Sequence, residues 1–482
     1  MTKKVKVEIE EGVEENPGGF FSLFAEKKKI YPAKVTGKFR SLKTLALVVL
    51  LAIYYIGPWL RWDRGDFAPN QAILIDIPER KFYFFFIEIW PQEIYYLTGI
   101  LLLAALLLFF VTSIAGRIWC GYACPQTVWT DLFMWVERLI EGDRHRRIRL
   151  DQMPWNFHKI SRRTFKHILW IIISLCTGGA WVFYFADAPT LMQDFINFNA
   201  PFTATFWLLF LAATTYTMAG FAREQVCIYM CPYARFQGAM FDVDTLVVSY
   251  DEKRGEPRDS EDGGDCIDCG RCVFVCPTGI DIRDGQQYQC ITCAQCIDAC
   301  NSVMDKIGKP RGLIRYNSMN NNVKSDKGFI ASLFSLKIIR TRTVVYFALL
   351  VAISSVMTHS LIFSQSWIDM NVIRARNPLY IMLSDGSIRN VYNIHVLNKT
   401  HTWGHYSLSL NNIDGALLSS PEHKKMKKEL TLQVPPSSVK NFKLFINIAD
   451  GAYQAGQSPV TITLKDSQRS TSYDTVFVSP QQ

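Results

Sequence analysis

Five stretches of the chain, at roughly 42–60, 95–115, 165–186, 202–220 and 341–363, are almost free of charge, and polar segments separate them. Each has about 19–23 mostly apolar residues, enough for a helix rising 1.5 Å per residue to cross ~30 Å of hydrocarbon. Soluble core helices of that length and apolarity are rare, so the pattern predicts five transmembrane helices. The fourth run contains several Thr and is the weakest. The aromatic stretch Phe82–Trp90 is too short to span and is expected at the membrane interface or as a re-entrant edge. After 364 the pattern changes to alternating, β-rich runs at 389–397, 406–410, 429–434, 441–448, 459–464 and 473–479. Turn signals such as Asp414-Gly415, Pro435-Pro436 and Asp450-Gly451 separate them. Six or seven short strands in about 110 residues predict an immunoglobulin-like β-sandwich. Its His395, His401 and His405 read as solvent or turn histidines.

Charge orients the helices. The loop 116–163 carries Arg117, Arg138, Arg144, Arg146, Arg147, Arg149, Lys159, Arg162 and Arg163, and is expected in the cytoplasm. The loop 187–201 has Asp187 and Asp194 but no Lys or Arg, and is expected outside. The expected order is a cytoplasmic tail (1–41), a four-helix membrane region (42–240), a cytoplasmic module (241–340), a fifth transmembrane helix (341–363) and a periplasmic domain (364–482). The net charge of +9 then reflects positive-inside loops and not nucleic-acid binding. All 13 cysteines lie between 120 and 300, which speaks against a disulfide scaffold in the exported domain. The late first apolar run, with no small-residue cleavage pattern after it, argues against a signal peptide. The whole reads as a multi-pass protein of a bacterial inner membrane.

The module holds CIDCGRCVFVCP and CITCAQCIDACN, each C-x2-C-x2-C-x3-C. Bacterial two-cluster ferredoxins hold iron–sulfur cubanes with this spacing, the fourth cysteine of each run serving the other cluster. One [4Fe–4S] cluster would take Cys266, Cys269, Cys272 and Cys300, and the other Cys290, Cys293, Cys296 and Cys276. Paired Cys-x2-Cys units could instead hold zinc, but the extra cysteine in each run argues against it. Pro277 follows the first run; Asn301 takes its place after the second. The acidic stretch from Asp251 to Asp268 reads as a donor-docking patch or a solvated face. No dinucleotide fingerprint, P-loop or haem motif is present in the sequence.

Two further motifs follow the second and fourth apolar runs: Cys120-Gly-Tyr-Ala-Cys124-Pro125 and Cys227-Ile-Tyr-Met-Cys231-Pro232. Arg117 precedes one and Arg223 the other, so the region looks like an internal repeat. Residues i and i+4 share a helix face, so two such pairs could gather four thiolates at the inner membrane face. Such a set suits a soft ion such as Cu(I) or Zn, and the arginines are expected to lower the thiol pKa. The plainer reading is structural helix ends with small buried cysteines. Tyr122 and Tyr229 orient the site or are interface aromatics; Cys176 stands alone and reads as packing.

This order of motifs and domains resembles the CcoG/FixG/RdxA family, accessory proteins of the cbb3-type cytochrome c oxidase, over essentially the whole chain. The resemblance implies a cupric reductase that supplies Cu(I) for oxidase assembly. By the match, Cys266, Cys269, Cys272, Cys276, Cys290, Cys293, Cys296 and Cys300 are cluster ligands. Cys120, Cys124, Cys227 and Cys231 match the family's membrane motif, a candidate for copper or quinol-side chemistry. Partners would be the oxidase assembly machinery or a copper transporter or chaperone. The electron donor and the oligomeric state, a homo-oligomer among the choices, stay open. Two other readings stand beside this one: a quinol-linked ferredoxin-type electron-transfer subunit, and a non-enzymatic assembly scaffold.

Overall fold

A computed structural model describes residues 29–258, 263–318, 339–363, 367–413, 415–423, 425–449, 456–466 and 469–480. The start of the expected polar tail lies outside the described residues. Among these residues five helices are long and apolar enough to span a membrane: Lys38–Trp59, Pro91–Ala115, Phe157–Val182, Phe202–Ala222 and Thr341–Phe363. Their regular α-helical parts are α1 (Lys38–Ile56), α2 (Ile94–Ala115), α6 (Phe157–Val182), α8 (Phe202–Thr217) and α13 (Thr341–Phe363). Shorter helices fill the chain between them: α3 (Ile118–Tyr122), α4 (Pro125–Ile140), α5 (Arg144–Gln152), α7 (Ala188–Ile196), α9 (Pro232–Met240), α10 (Glu252–Gly255), α11 (Arg271–Phe274) and α12 (Gln295–Ile307).

Small residues let the membrane helices approach. An added Cβ on Gly178 of α6 would stand 2.4 Å from the Leu208 carbonyl oxygen of α8. Gly99 of α2 makes room for the Met357 sulfur of α13 in the same way. Close approach through Gly is how helices gain contact in lipid, where apolar surface alone gives no preference for a neighbour.

At the membrane end bearing Trp59, Pro91 and Val182, a three-stranded meander forms from β1 (Ile73–Asp76), β2 (Lys81–Phe84) and β3 (Ile87–Ile89). The stretch expected as an interfacial or re-entrant segment is therefore β-sheet. Its alternation is obscured by aromatics that serve both faces. This sheet receives the C-terminal domain: Lys81 donates to the Ser437 carbonyl at 2.8 Å, and Lys399 meets Glu93 at 2.6 Å.

At the opposite end, β4 (Val247–Tyr250) pairs antiparallel with β5 (Ile314–Asn317) and closes the cysteine-rich module between them. Residues 29–37, expected as plain tail, strap this module to the membrane region. Ala33 N–H donates to the Phe274 carbonyl at 2.8 Å, and Lys34 N–H to Asp143 at 2.9 Å.

The C-terminal domain packs two sheets. One has the order β10 (Leu417–Ser419), β12 (Ser438–Ile448), β8 (Ile388–Asn398) and β6 (Ile368–Arg374), with β7 (Ile381–Met382) also on β8. The other has β11 (Glu429–Val434), β9 (Gly404–Asn411), β13 (Gln457–Lys465) and β14 (Ser470–Val478). The immunoglobulin-like sandwich is as expected, and β6, β7 and β10 are additions to the six runs read from the sequence. Alternation along β8 buries Ile388, Tyr392, Ile394 and Val396 in the shared core.

Candidate functional site

The two cysteine runs fold as near copies. In the first, Asp268 and Gly270 have positive φ (48° and 61°); in the second, Thr292 and Ala294 do (55° and 59°). These four positions flank Cys269 and Cys293 identically. Three of them are not glycine, so the turn costs strain, and such strain concentrates at functional sites. The turn aims backbone amides at sulfur: Thr292 N–H donates to the Cys290 sulfur at 3.4 Å.

Two narrow cavities of about 20 Å³ each result. One is lined by Cys266, Cys269, Cys272 and Cys300. The other is lined by Cys276, Cys290, Cys293 and Cys296, with Cys272 at the shared wall. Each foursome joins three cysteines of one run to the last cysteine of the other. Among the described residues no three Cys, His, Asp or Glu converge as they would on a single ion. The donor set, four soft sulfurs around each cavity, fits [4Fe–4S] clusters.

Three carboxylates of the acidic stretch pair within the module. Asp251 pairs with Arg315 at 2.9 Å, Asp265 with Arg254 at 2.5 Å, and Asp268 with Arg283.

The membrane motifs lie directly against the second cavity. Cys120 packs with Ile291 and Cys293. At Gly121 an added Cβ would stand 2.7 Å from the Ile291 carbonyl oxygen, so only glycine allows this approach. Tyr122 donates to the Cys293 carbonyl at 3.3 Å, and Arg117 to the Tyr288 carbonyl at 2.5 Å. Gln237 of α9, 0% exposed, accepts from the Cys120 thiol and from Arg117 Nε, both at 3.2 Å. Sequence reading missed Gln237, which has no motif around it. Its place ten residues after Cys227, in the repeat's second copy, is the signal available.

The repeat brings its four thiols into one neighbourhood. Burial first, then the charges of Cys124, Cys120 and Cys231, push the Cys227 thiol up to about 12. Cys120 rises to about 11, again chiefly by burial, although Arg117 pulls it down. Burial also raises Cys124 against the N–H groups of Thr127 and Gln126. The expectation that nearby arginines make these thiols acidic is therefore corrected, because desolvation outweighs the one arginine that is close. Arg223 turns away and holds Glu137 of α4 at 2.5 Å.

Local structure differs between the copies. Cys120 sits in α3, whereas Cys227 lies in a widened π-type turn, Val226–Met230. Pro125 and Pro232 each occupy the first position of the following helix, with Cys124 and Cys231 as N-caps. Tyr229 is about half exposed, and Tyr122 faces the module through its hydrogen bond to the Cys293 carbonyl. Cys176 is exposed on α6, away from this group.

Family models extend over most of the chain. One described as a 4Fe-4S dicluster domain matches residues 222–319, and one described as a 4Fe-4S binding domain matches 97–147. A third, the IG-like fold at the C-terminal of FixG, matches 360–480. Protein RdxB of Cereibacter sphaeroides is 48% identical over 468 residues, 95% of this chain and 97% of its own. The chain belongs to the FixG/RdxA family. The nitrogen fixation protein FixG of Rhizobium meliloti is 43% identical over 92% of this chain and 91% of its own. The ferredoxin-type methylamine utilization protein MauN of Methylorubrum extorquens is 25% identical over 50% of this chain and 75% of its own. A crystal structure of a FixG-related protein from Vibrio parahaemolyticus aligns with 24% of this chain and 98% of its own, at 23% identity and a TM-score of 0.21.

As a FixG/RdxA protein, the chain is a multi-pass membrane protein with iron–sulfur cofactors and an electron-transfer role. Its segment 97–147 contains just Cys120 and Cys124, short of the four thiols a cubane takes. The eight-cysteine module supplies the two complete sets.

Proposed function

We propose that this FixG/RdxA protein reduces Cu(II) to Cu(I) at Cys120, Cys124, Cys227 and Cys231, in support of assembling a cbb3-type cytochrome c oxidase. In this reading Cys266, Cys269, Cys272 and Cys300 hold one [4Fe–4S] cluster, and Cys290, Cys293, Cys296 and Cys276 the other. Such clusters supply one-electron transfer. The four membrane thiols offer the incoming copper ion soft sulfur donors, which favour the Cu(I) product. The observation that carries the proposal is the Gly121 approach: the backbone of the first membrane motif rests on that of Ile291 and Cys293. The arginine-rich loop around α5 stands at the module's end of the membrane, which supports a cytoplasmic module and a periplasmic sandwich.

One cavity favours a second reading, quinol-linked electron transfer. It measures about 350 Å³ and runs between α1, α4 and α6, lined by Ala123, Pro125, Trp129, Tyr54 and Tyr184 among others. Its wall includes Ala123 and Pro125, the chain neighbours of Cys124, and it has the size and aromatic walls for a lipid-soluble ring.

One experiment separates the readings. Anaerobic, dithionite-reduced protein is mixed in a stopped-flow cell with Cu(II) or with a quinone analogue, and a Cu(I) chelator reports product. Recovery of cluster absorbance with stoichiometric Cu(I), abolished in Cys124→Ser/Cys231→Ser protein that keeps its iron, is the expected result. Fast recovery with quinone and little with Cu(II) overturns the copper assignment in favour of the second reading.

A further inference from the structure

Gln237 is wholly buried, and its partners fix which way its amide faces. Arg117 Nε–H can only donate, so the atom it meets at 3.2 Å is the amide oxygen. That same oxygen faces the Cys120 sulfur at 3.2 Å, while the amide nitrogen faces the Thr112 hydroxyl at 3.4 Å. An acceptor oxygen suits a thiol that donates its hydrogen and opposes a metal-bound sulfur, which has no hydrogen to give. Packing on Ile291 and Cys293 holds Cys120 against the module as well. Arg117 is committed too, with Nε on Gln237 and one terminal nitrogen on the carbonyls of Tyr288 and Cys290.

The other three thiols stand differently. Cys124 and Cys231 are the N-caps of α4 and α9, where unpaired helix N–H groups favour negative charge. Both lie on the seam between the two copies of the repeat. Gln126, two residues after Cys124, donates to the Met218 and Arg223 carbonyls of the second copy at 3.0 and 3.1 Å. Tyr233, two residues after Cys231, meets Thr112 of α2 at 2.8 Å. Cys227 sits a turn before Cys231 in the widened turn Val226–Met230. The counterpart of Gln237 in the first copy is Thr130, whose hydroxyl takes the Gln126 amide at 3.3 Å. Among the described residues none of these three sulfurs donates to an acceptor, and all three are part-exposed. No three metal-ligating side chains converge in advance among those residues. A copper ion would therefore gather its ligands by side-chain rotation, which is open to these three and closed to Cys120.

We infer that copper is held by Cys124, Cys227 and Cys231, and that Gln237 is a positioning residue that keeps Cys120 out of the coordination shell and turned to the second cluster, that of Cys290, Cys293, Cys296 and Cys276. The inference refines the copper reading above and rests on it. Three soft sulfurs favour Cu(I), and ligation releases their three protons to solvent. One electron leaves the reduced second cluster, which is thereby oxidised, and enters Cu(II) to give Cu(I). Cys120, packed on Cys293 and a turn from Cys124, lies between the two, and no bond to it forms or breaks.

Full-length, iron-loaded protein is given one equivalent of Cu(I) under anaerobic conditions. Competition with a Cu(I) chelator reads the affinity, and X-ray absorption at the copper edge counts the bound sulfurs. Wild type should show three sulfurs. Cys120→Ser, whose hydroxyl can still donate to Gln237, should keep all three and the wild-type affinity. Cys124→Ser, Cys227→Ser and Cys231→Ser should each weaken Cu(I) binding by more than the ~10–100-fold that loss of an outer partner costs a metal site. Gln237→Leu frees the Cys120 thiol and should raise the count to four, whereas Gln237→Glu keeps an acceptor oxygen beside Arg117 and should leave it at three. Should Cys120→Ser lose iron, Cys120→Ala must show the same unchanged affinity. A count still at three in Gln237→Leu overturns the role given to Gln237. Four sulfurs in wild type, or a Cys120 variant as weak as the other three, overturns the inference and leaves copper reduction at these thiols standing. Copper binding untouched in all four cysteine variants overturns the underlying reading as well.

Discussion

An alanine at position 121 would place its Cβ 2.7 Å from the Ile291 carbonyl oxygen, 3.0 Å from the Cys293 Cα and 3.1 Å from its nitrogen. All three neighbours are backbone, so no side chain can swing aside. Reaching ordinary contact at 3.4 Å requires the cysteine loop to retreat from α3 by about 0.7 Å. Overpacking of this kind costs about 1–3 kcal/mol. Against it, Gly→Ala within a helix gains about 1 kcal/mol of propensity. The net loss, up to ~2 kcal/mol, falls on the seating of the module and not on either body alone. Gly121→Ala should therefore keep its full iron content and its helicity, yet recover cluster absorbance more slowly when mixed with Cu(II). Gly179→Ala is the control, because its Cβ would meet nothing closer than 3.7 Å. Equal recovery rates for wild type, Gly121→Ala and Gly179→Ala would refute the claim that this contact joins the module to the membrane thiols.

Burial raises the Glu137 carboxyl, but Arg223, Lys166 and Arg147 together bring it below its ordinary value. Glu137→Gln leaves Arg223 and Arg147 without a carboxylate partner, while Lys166 keeps Glu141 at 2.8 Å, and should cost about 3–5 kcal/mol in thermal or denaturant unfolding in detergent; a loss under ~1 kcal/mol would show that the two arginines find other partners. For Asp151, burial raises the carboxyl, but hydrogen bonds from Lys29 and Tyr31 and the Arg163 pair bring it down to about 2. Its stabilising effect is thus full above its ordinary value of 3.8 and fades as pH falls toward 2. Protection of residues 29–37 in hydrogen exchange should weaken over that window in wild type and be weak at every pH in Asp151→Asn. On the other side of the membrane, Lys399→Glu sets like charges at the Glu93 contact and should expose the sandwich–meander joint to protease without lowering iron content. Unchanged cleavage would mean the domain is held elsewhere.

What the sequence made legible is periodic or regularly spaced. Five apolar runs, eight cysteines at fixed intervals and the alternation of the sandwich strands all repeat locally, and each produced its element. The missed features depend on single polar residues with distant partners. Gln237 meets Arg117, 120 positions away, and Arg40 meets Asp131, 91 away. No local pattern encodes such pairs. The misjudged arginine effect has the same origin, because the sequence places Arg117 and Arg223 at nearly equal offsets, three and four residues before Cys120 and Cys227. Only packing shows that one faces the thiols while the other is drawn to Glu137 on a different helix. The meander at 73–89 was hidden by the opposite fault: its aromatic residues look apolar throughout, and pairing rather than periodicity makes them strands.

The union of Arg40 with Asp298 spans 258 positions of chain. A ribosome adding ~5–20 residues per second needs roughly 13–50 s to cover that interval. Through that time the first membrane helix is already in place, with Arg40 and Lys43 at its entrance and no module to cover them. Closure of this contact therefore cannot come before Asp298 is made, well after the first membrane helix. Until the module is made, Ala33 in the strap also lacks the Phe274 carbonyl that it pairs with in the folded chain.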